Sequence, residues 1–165
     1  MLGYSYTKRF TWLCHFVLGL GLSLAPIGAY LAVTGVFELI PIIFSLTVLF
    51  WTTGFDIIYS LQDDEFDKSQ NLKSVPVLLG RKNALLLSTL LHIITFLFII
   101  WAGLLAAEKF GIWYWAGAVF FGGSLLYQHL IIKHDNLSRV NLAFFTTNGI
   151  ASVVFALFTI LALFF

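Results

Sequence analysis

The sequence predicts an all-α integral membrane protein, a helical bundle of five transmembrane helices. The chain has 165 residues, of which 60% are hydrophobic and 10% charged, whereas soluble domains carry about 25% charged residues. Long apolar runs alternate with short polar segments, and a run of about 20 apolar residues can cross a bilayer as a helix. The lipid bilayer is therefore a predicted partner. A net charge of +1 gives no indication of a nucleic-acid partner.

Five apolar runs are predicted to form the membrane-spanning helices. The first run is uncharged from residue 10 to residue 37. The predicted spans cover residues 10–33, 39–61, 83–106, 112–132 and 142–164. Pro41 suits the first turn of the second span, where a missing backbone N–H costs nothing.

The basic residues predict how the bundle is oriented. Eight of the nine Lys and Arg residues fall on one side of the predicted spans, and only Lys109 falls on the other. The eight are Lys8, Arg9, Lys68, Lys73, Arg81, Lys82, Lys133 and Arg139. Because basic residues concentrate in cytoplasmic loops, we expect this side to face the cytoplasm.

The longest polar segment, residues 62–82, joins the second and third predicted spans. Its second half contains the apolar stretch Val75–Leu79, which is followed by Gly80. This pattern predicts a short interfacial helix that ends at the glycine.

An acidic cluster begins inside the second span and continues into this loop. Asp56, Asp63 and Asp67 are seven and four residues apart. On one continuous helix they would fall within about 40° of each other, with Tyr59 one turn from Asp56. Three carboxylates on one stripe repel each other unless a cation lies between them. The pattern therefore predicts Mg²⁺, which binds carboxylates together with substrate phosphates.

A solvated acidic loop is the simpler alternative, because like charges next to a membrane are common and inert. It accounts well for Asp64, Glu65 and Lys68. It accounts poorly for Asp56, which lies about two turns inside the span, where a carboxylate costs up to roughly 2.5–3.5 kcal/mol. We therefore favour a functional role for the three aspartates of the stripe.

Basic side chains are predicted to accompany the acidic cluster. Tyr4, Lys8 and Arg9 alone would be an ordinary basic flank with an aromatic anchor. A site that binds a diphosphate through Mg²⁺ also needs cations to stabilise the leaving group. Lys8, Arg9, Lys73 and Arg81 lie on the required side of the membrane.

The remaining polar residues of the spans carry weaker indications. The single cysteine, Cys14, lies in an apolar run and is expected to be a small buried hydrophobe. The four histidines show no pair with a reliable metal-ligand spacing. Asn148 is expected to form a hydrogen bond between helices.

Two motifs resemble the UbiA superfamily of intramembrane aromatic prenyltransferases. One is its second aspartate-rich motif, which reads Asp56-x-x-Tyr59-x-x-x-Asp63-x-x-x-Asp67 and is followed by Lys73-Ser74 and Gly80. The other is its YxxxK element, Tyr4-x-x-x-Lys8. The flanking segments 8–11 and 18–20 look most like the branch that acts on 4-hydroxybenzoate. The likeness extends over essentially the whole chain.

The resemblance also implies that part of the family pattern is missing. Family members have nine transmembrane helices and a first motif, NDxxDxxxD, which this sequence lacks. Residues 1–165 are therefore expected to be the C-terminal portion of a UbiA-type domain, about helices five to nine. A missing N-terminal half, or self-association, would supply the opposing part of the site.

The resemblance implies transfer of a polyprenyl group from polyprenyl diphosphate to an aromatic acceptor, as in ubiquinone biosynthesis. Asp56, Asp63 and Asp67 would bind Mg²⁺, and Lys8 and Lys73 would contact the diphosphate. Tyr4 and Tyr59 would orient it or line the acceptor pocket. The expected location is the bacterial inner membrane, with the acidic motif on the cytoplasmic side.

Other functions stay open at this point. Within the family, the acceptor could belong to the menaquinone, haem or chlorophyll pathway. Outside enzymes, the chain could be a non-catalytic membrane subunit or a cation-transport fragment. Acceptor identity, isoprenoid length and oligomeric state are equally open.

Overall fold

A computed structural model describes residues 4–165 of the chain, with side chains from Tyr6 onward. The described part is helical and contains no β-strand. Its helices are α1 (Tyr4–Thr7), α2 (Cys14–Thr34), α3 (Leu39–Ser60), α4 (Asp64–Ser69), α5 (Val75–Leu105), α6 (Ile112–Ile131) and α7 (Asn148–Phe164). A π-helical segment, Leu142–Thr147, leads directly into α7. The predicted all-α class is confirmed.

Four helices of the described part are long and apolar enough to cross a membrane. They are Cys14–Thr34, Leu39–Ser60, Val75–Leu105 and Leu142–Phe164. The fourth predicted span forms the 20-residue helix α6 but is not among these four. Trp, Tyr, Gln and His side chains lower its hydropathy. Four of the five predicted spans are thus supported, and the crossing by α6 stays a prediction.

The break predicted at Gly80 is present. Helix α5 begins at Val75, with Pro76 in its first turn, and Gly80 has non-helical angles of φ 76° and ψ 161°. Residues other than glycine rarely adopt this conformation, because their Cβ atom clashes with the backbone at such a positive φ. Gly80 therefore separates the short N-terminal piece of α5 from its long apolar part.

Helix α3 is the centre of the part of the bundle that carries the acidic cluster. It packs against α2 on one side and α5 on the other. The approach of α2 is close, since a Cβ atom on Gly19 would lie 2.5 Å from Thr53 Oγ1 and 2.6 Å from the Leu49 carbonyl oxygen. Small residues permit such contacts between membrane helices. Gly19 therefore sets the separation of α2 and α3.

A polar cluster joins α3, α6 and α7 in the interior. The Trp51 indole N–H and the Gln128 amide both donate to Asn148 Oδ1, at 3.3 and 2.5 Å. Gln128 is fully buried, and Asn148 is 6% exposed. The predicted helix–helix hydrogen bond of Asn148 is confirmed.

The single helix through residues 56–67 on which the stripe depended is not formed, so that part of the prediction is wrong. Helix α3 ends at Ser60, and a tight turn precedes α4, which begins at Asp64. Acidic side chains are unfavourable near a helix C-terminus and favourable in the first turn of a new helix. Asp63 occupies the N-cap position of α4, with Asp64 and Glu65 just after it. A new helix therefore begins where Asp63, Asp64 and Glu65 follow one another.

Candidate functional site

The predicted site residues meet at one end of the bundle. Backbone contacts tie the segments together: the Lys73 N–H donates to the Lys8 carbonyl oxygen at 2.6 Å. The Cys14 thiol donates to the Lys73 carbonyl oxygen at 3.7 Å. Thus α1, the start of α2 and the start of α5 form one surface beside the end of α3. We call this surface, with α4, the acidic end of the bundle.

Asp56 lies in the last turns of α3 and contacts α2. Its Oδ2 atom is 2.7 Å from Nδ1 of His15, and His15 is only 1% exposed. The Asp56 side chain retains 14% exposure. One face of this carboxylate is thus held by the protein while part of it remains accessible.

Asp67 lies on α4 and forms an ion pair with a predicted basic residue. Lys8 Nζ is 3.0 and 3.3 Å from the two carboxylate oxygens, and the Asp67 side chain is 2% exposed. Burial of the Lys8 ammonium group acts to lower its pKa. The hydrogen bond and charge of Asp67 outweigh burial and raise the pKa above its ordinary value. Lys8 is therefore a firmly charged cation at the acidic end.

Asp63 differs from both of its neighbours in the motif. Its side chain is exposed at the start of α4. Across residues 6–165 no side-chain hydrogen bond or ion pair involves this carboxylate. It is thus available to an added cation without the loss of an existing contact.

Asp64, which fell outside the predicted stripe, is buried and forms a structural ion pair. Arg81 donates to both of its oxygens, at 2.6 and 3.1 Å, and Lys68 donates at 3.3 Å. Burial favours the neutral acid, but the two cations outweigh it and hold the pKa below its ordinary value of 3.8. Arg81 also bonds Glu65 at 3.1 Å. The Arg81 guanidinium therefore fastens α4 to α5, and it would have to exchange partners to contact a diphosphate.

The other predicted substrate-binding residues, Lys73, Arg9 and Tyr4, differ in what the structure shows of their contacts. Lys73 is exposed, and its ammonium donates to the Phe10 carbonyl oxygen at 3.1 Å. Arg9 lies 5.4 Å above the Tyr6 ring. Tyr4 begins α1, but its side chain lies outside the described residues. Lys8 and Arg9 are adjacent in sequence, and Lys73, which lies more than 60 residues further along the chain, meets their segment at the same end of the bundle.

Tyr59 belongs to an aromatic group on the side of α3 that faces the π-helical segment. Its ring centroid is 4.3 Å from that of Phe144 and 6.0 Å from that of Phe145. Phe55 contacts Phe144 edge-on at 5.3 Å, and Trp51 contacts Phe55 at 5.3 Å. These rings form a continuous aromatic file, Trp51–Phe55–Phe144–Tyr59, that leads from the interior toward the acidic end. An aromatic file of this kind suits an apolar chain or a developing cation.

The donor set fits Mg²⁺ only as part of a shared site. Carboxylate oxygens are the ligands that this ion prefers, and it commonly binds one or two carboxylates plus substrate phosphates. Among the described residues, no three acids, histidines or cysteines converge tightly enough to hold a metal by themselves. Asp63 and the open oxygen of Asp56 are donors of this type, and a metal held by them would take its remaining ligands from phosphate and water.

Sequence reasoning missed the roles of the histidines. His15 pairs with Asp56, and His92 Nδ1 lies 2.8 Å from His129 Nε2. Each pair joins different helices, so spacing along the chain could not reveal it. The available signal was polarity, because a buried histidine in an apolar span requires a hydrogen-bonding partner.

Comparison with known proteins agrees with this architecture. The profile of the UbiA prenyltransferase family matches residues 1–150. The 4-hydroxybenzoate octaprenyltransferase of Chromohalobacter salexigens is 30% identical over 93% of this chain and 50% of its own length. The protein of the same name from Tolumonas auensis is 31% identical over 93% of this chain and 52% of its own length.

A solved structure of a UbiA homolog has a fold similar to that of this chain. The apo structure of a UbiA homolog from Aeropyrum pernix K1 superposes with a TM-score of 0.81 at 28% identity. The match covers 97% of this chain and 59% of that one. The chain spans about half the length of the curated relatives it matches, a share consistent with the expected C-terminal portion. With four apolar helices and this profile match, the chain is an integral membrane protein that belongs to the UbiA prenyltransferase family.

Proposed function

We propose that the acidic end is one wall of a site that binds a polyprenyl diphosphate with Mg²⁺ and transfers the polyprenyl group to an aromatic acceptor. The observation that carries the proposal is the grouping of the family's carboxylates and cations at one end of the bundle. Asp56, Asp63 and Asp67 come from α3, the N-cap of α4 and α4 itself. Lys8 and Lys73 reach the same surface from the turn after α1 and from the segment just before α5.

The surroundings of each residue indicate whether it would bind the metal or the diphosphate. Asp63, exposed and without a described partner, and the free oxygen of Asp56 would hold the metal. Bound Mg²⁺ would neutralise the diphosphate and favour its departure. Lys8 and Lys73 would add positive charge beside the leaving group. Asp67 would exchange Lys8 for the metal as Lys8 turns toward the phosphates.

The prenyl group would lie along the aromatic file. When the allylic carbon–oxygen bond breaks, diphosphate leaves, and a ring carbon of the acceptor takes up the allylic cation and then loses a proton. The faces of Tyr59 and Phe144 can stabilise positive charge nearby. Their position between α3 and the π-helical segment also keeps water from the reacting carbon.

We propose that the opposing wall comes from outside this chain, either from an N-terminal segment or from a second copy. The absence of a three-ligand metal cluster in the described part supports this proposal. In a nine-helix fold, α2, α3, α5, α6 and α7 would be helices five to nine, and α6 would cross the membrane. The acidic end would face the cytoplasm of a bacterial inner membrane, since Gln62 and Asn141 bring the loop of Lys133 and Arg139 to the same end.

We favour 4-hydroxybenzoate as the acceptor because the curated relatives bear that name. A menaquinone, haem or chlorophyll precursor is the alternative within the family. A panel of aromatic acceptors with an isotopically labelled polyprenyl diphosphate decides between them, read by mass spectrometry of the prenylated products.

The transfer assay also tests the shared site. If the opposing wall is an N-terminal segment, membranes that carry this chain alone should yield no product, and membranes that also carry that segment should yield product that requires Mg²⁺. If the wall is a second copy, the chain alone should be active only where it self-associates. In the complete system, Asp63→Asn should abolish product, whereas Asp135→Asn, an exposed acid in another loop, should not. Robust turnover by the monomeric chain alone would overturn the shared site. Ion flux without diphosphate binding would favour a transport function instead.

A further inference from the structure

We propose that His15 is a positioning residue that fixes the Asp56 carboxylate for metal binding. This inference rests on the proposed function and adds to it a residue that lies outside both family motifs. The geometry on which it stands is the contact of 2.7 Å between His15 Nδ1 and Asp56 Oδ2, made by a histidine that is 1% exposed.

Both ring nitrogens of His15 have defined partners. The backbone N–H of Val75 points at Nε2 from 3.4 Å. A backbone N–H can only donate, so Nε2 accepts and the proton lies on Nδ1. Nδ1 then donates to Asp56. The ring is thus held between the start of α5 and the end of α3, in one tautomer and one orientation.

In this arrangement the two carboxylate oxygens of Asp56 have different surroundings. Oδ2 accepts from His15, and no described residue is hydrogen-bonded to Oδ1. A partner that orients a carboxylate beside a metal improves binding because the ligand no longer loses rotational freedom on binding. His15 therefore presents Oδ1 to the accessible side of the acidic end.

The packing of α2 on α3 supports the same role. Thr53 Oγ1 lies 3.4 Å from the His15 carbonyl oxygen, one turn below Asp56. Gly19, one turn after His15, permits the close approach of the two helices. The His15–Asp56 contact thus lies where α2 and α3 are closely packed, which limits how far the two side chains can separate.

The test compares two substitutions in nanodiscs that hold this chain together with its opposing wall. His15→Leu removes both hydrogen bonds. His15→Asn keeps an N–H donor close to the position of Nδ1. The affinity for a non-hydrolysable polyprenyl thiodiphosphate in the presence of Mg²⁺ is measured by calorimetry, and unfolding by SDS titration gives the stability of each variant.

We expect His15→Leu to weaken binding by roughly 10- to 100-fold, the usual effect of removing a partner that orients a metal ligand. His15→Asn should restore most of the affinity. In an Asp56→Asn background, His15→Leu should cause no further loss. His129→Asn changes a histidine whose described hydrogen bonds go to Thr89 and His92, and it should leave affinity unchanged.

The outcomes separate this inference from the proposed function. Wild-type binding together with unchanged affinity in His15→Leu overturns the positioning role and leaves the proposed function standing. Affinity that merely follows stability across the variants, or losses that add in the Asp56→Asn background, also overturns it. No Mg²⁺-dependent binding by the wild type overturns both. Nitrogen NMR of labelled His15 provides a ligand-free check, since the role requires the proton on Nδ1.

Discussion

At the scale of single residues, the acidic end combines two kinds of carboxylate: buried ones that form ion pairs, and an exposed one that forms none with the described residues. Asp64 and Asp67 are 2% and 1% exposed and pair with Arg81 and Lys8. Asp63 is exposed at the start of α4. A buried carboxylate without a partner is costly, so these pairs hold α4 against the bundle. The unpaired acid is the one best suited to an added cation.

The Lys8–Asp67 pair should respond asymmetrically to mutation. Lys8→Met leaves the Asp67 carboxylate buried without its cation, which should cost about 1–3 kcal/mol, between the values for exposed and fully buried pairs. Asp67→Asn should cost less, because Lys8 is 24% exposed and can turn to water. SDS-induced unfolding of both variants at neutral pH measures the difference. Equal losses, or a larger loss in Asp67→Asn, would contradict this description of the pair.

Asp64 should make stability depend on pH on the acid side. Its pKa in the folded protein lies below 3.8, so the contribution of its ion pair is complete above about pH 5 and is lost as the pH falls through the folded pKa. Wild type should therefore be more stable than Asp64→Asn at pH 7, and the difference should shrink toward pH 3. Unfolding midpoints measured at both pH values test this. A difference that is constant with pH would show that the Asp64 charge contributes nothing.

Some of these residue contacts could be predicted from sequence, and others could not. The motif spacing identified Asp56, Asp63, Asp67, Lys8 and Lys73, and the structure brings them to one end of the bundle. The partners of Asp56 and Asp64 could not be predicted, because His15 and Arg81 lie 41 and 17 residues away. Their meeting depends on how α2 and α5 pack beside α3 and α4.

At the scale of helices, two local rules decide the shape of the acidic end. The helix dipole disfavours acids at the end of α3 and favours them at the start of α4, which produces the turn at 61–63. Periodicity alone suggested one continuous helix and gave the wrong geometry there. The prediction that a short helix ends at Gly80 was correct, since this glycine interrupts α5 there.

The close packing of α2 on α3 should make Gly19 sensitive to the smallest substitution. In Gly19→Ala the new methyl group would overlap Thr53 Oγ1 and the Leu49 backbone, so the helices must separate, at a cost of about 1–3 kcal/mol. Gly28→Ala, on the same helix, is the control, because no atom lies within 4 Å of a Cβ there. Unfolding in SDS compares the two variants. Equal stability would show that α2 and α3 tolerate a wider separation.

At the scale of the whole molecule, the described part of the chain is a helical membrane bundle with four long apolar helices. Apolar side chains of α2, α5 and α7 remain exposed along most of these helices, including Leu24, Leu90, Leu97 and Leu157. Hydropathy was enough to predict this arrangement. It overestimated the apolar character of α6, whose Gln128 is instead part of the interior cluster with Asn148.

The family and the predicted role of the acidic end follow from different properties of the chain. The profile match and the superposition with the Aeropyrum pernix homolog identify the family. The role depends on whether the carboxylates at one end hold a diphosphate through a metal. Loss of Mg²⁺ should therefore remove binding without unfolding the bundle, because ion pairs within the chain already hold α4 in place.

Calorimetric titration of the complete system in nanodiscs, with this chain and its opposing wall, tests the central claim most directly: a non-hydrolysable polyprenyl thiodiphosphate is added first with Mg²⁺ and then with EDTA. The account predicts saturable binding that requires Mg²⁺, disappears in Asp63→Asn and persists in Asp135→Asn. Binding of equal strength in EDTA, or binding unaffected by Asp63→Asn, would contradict it.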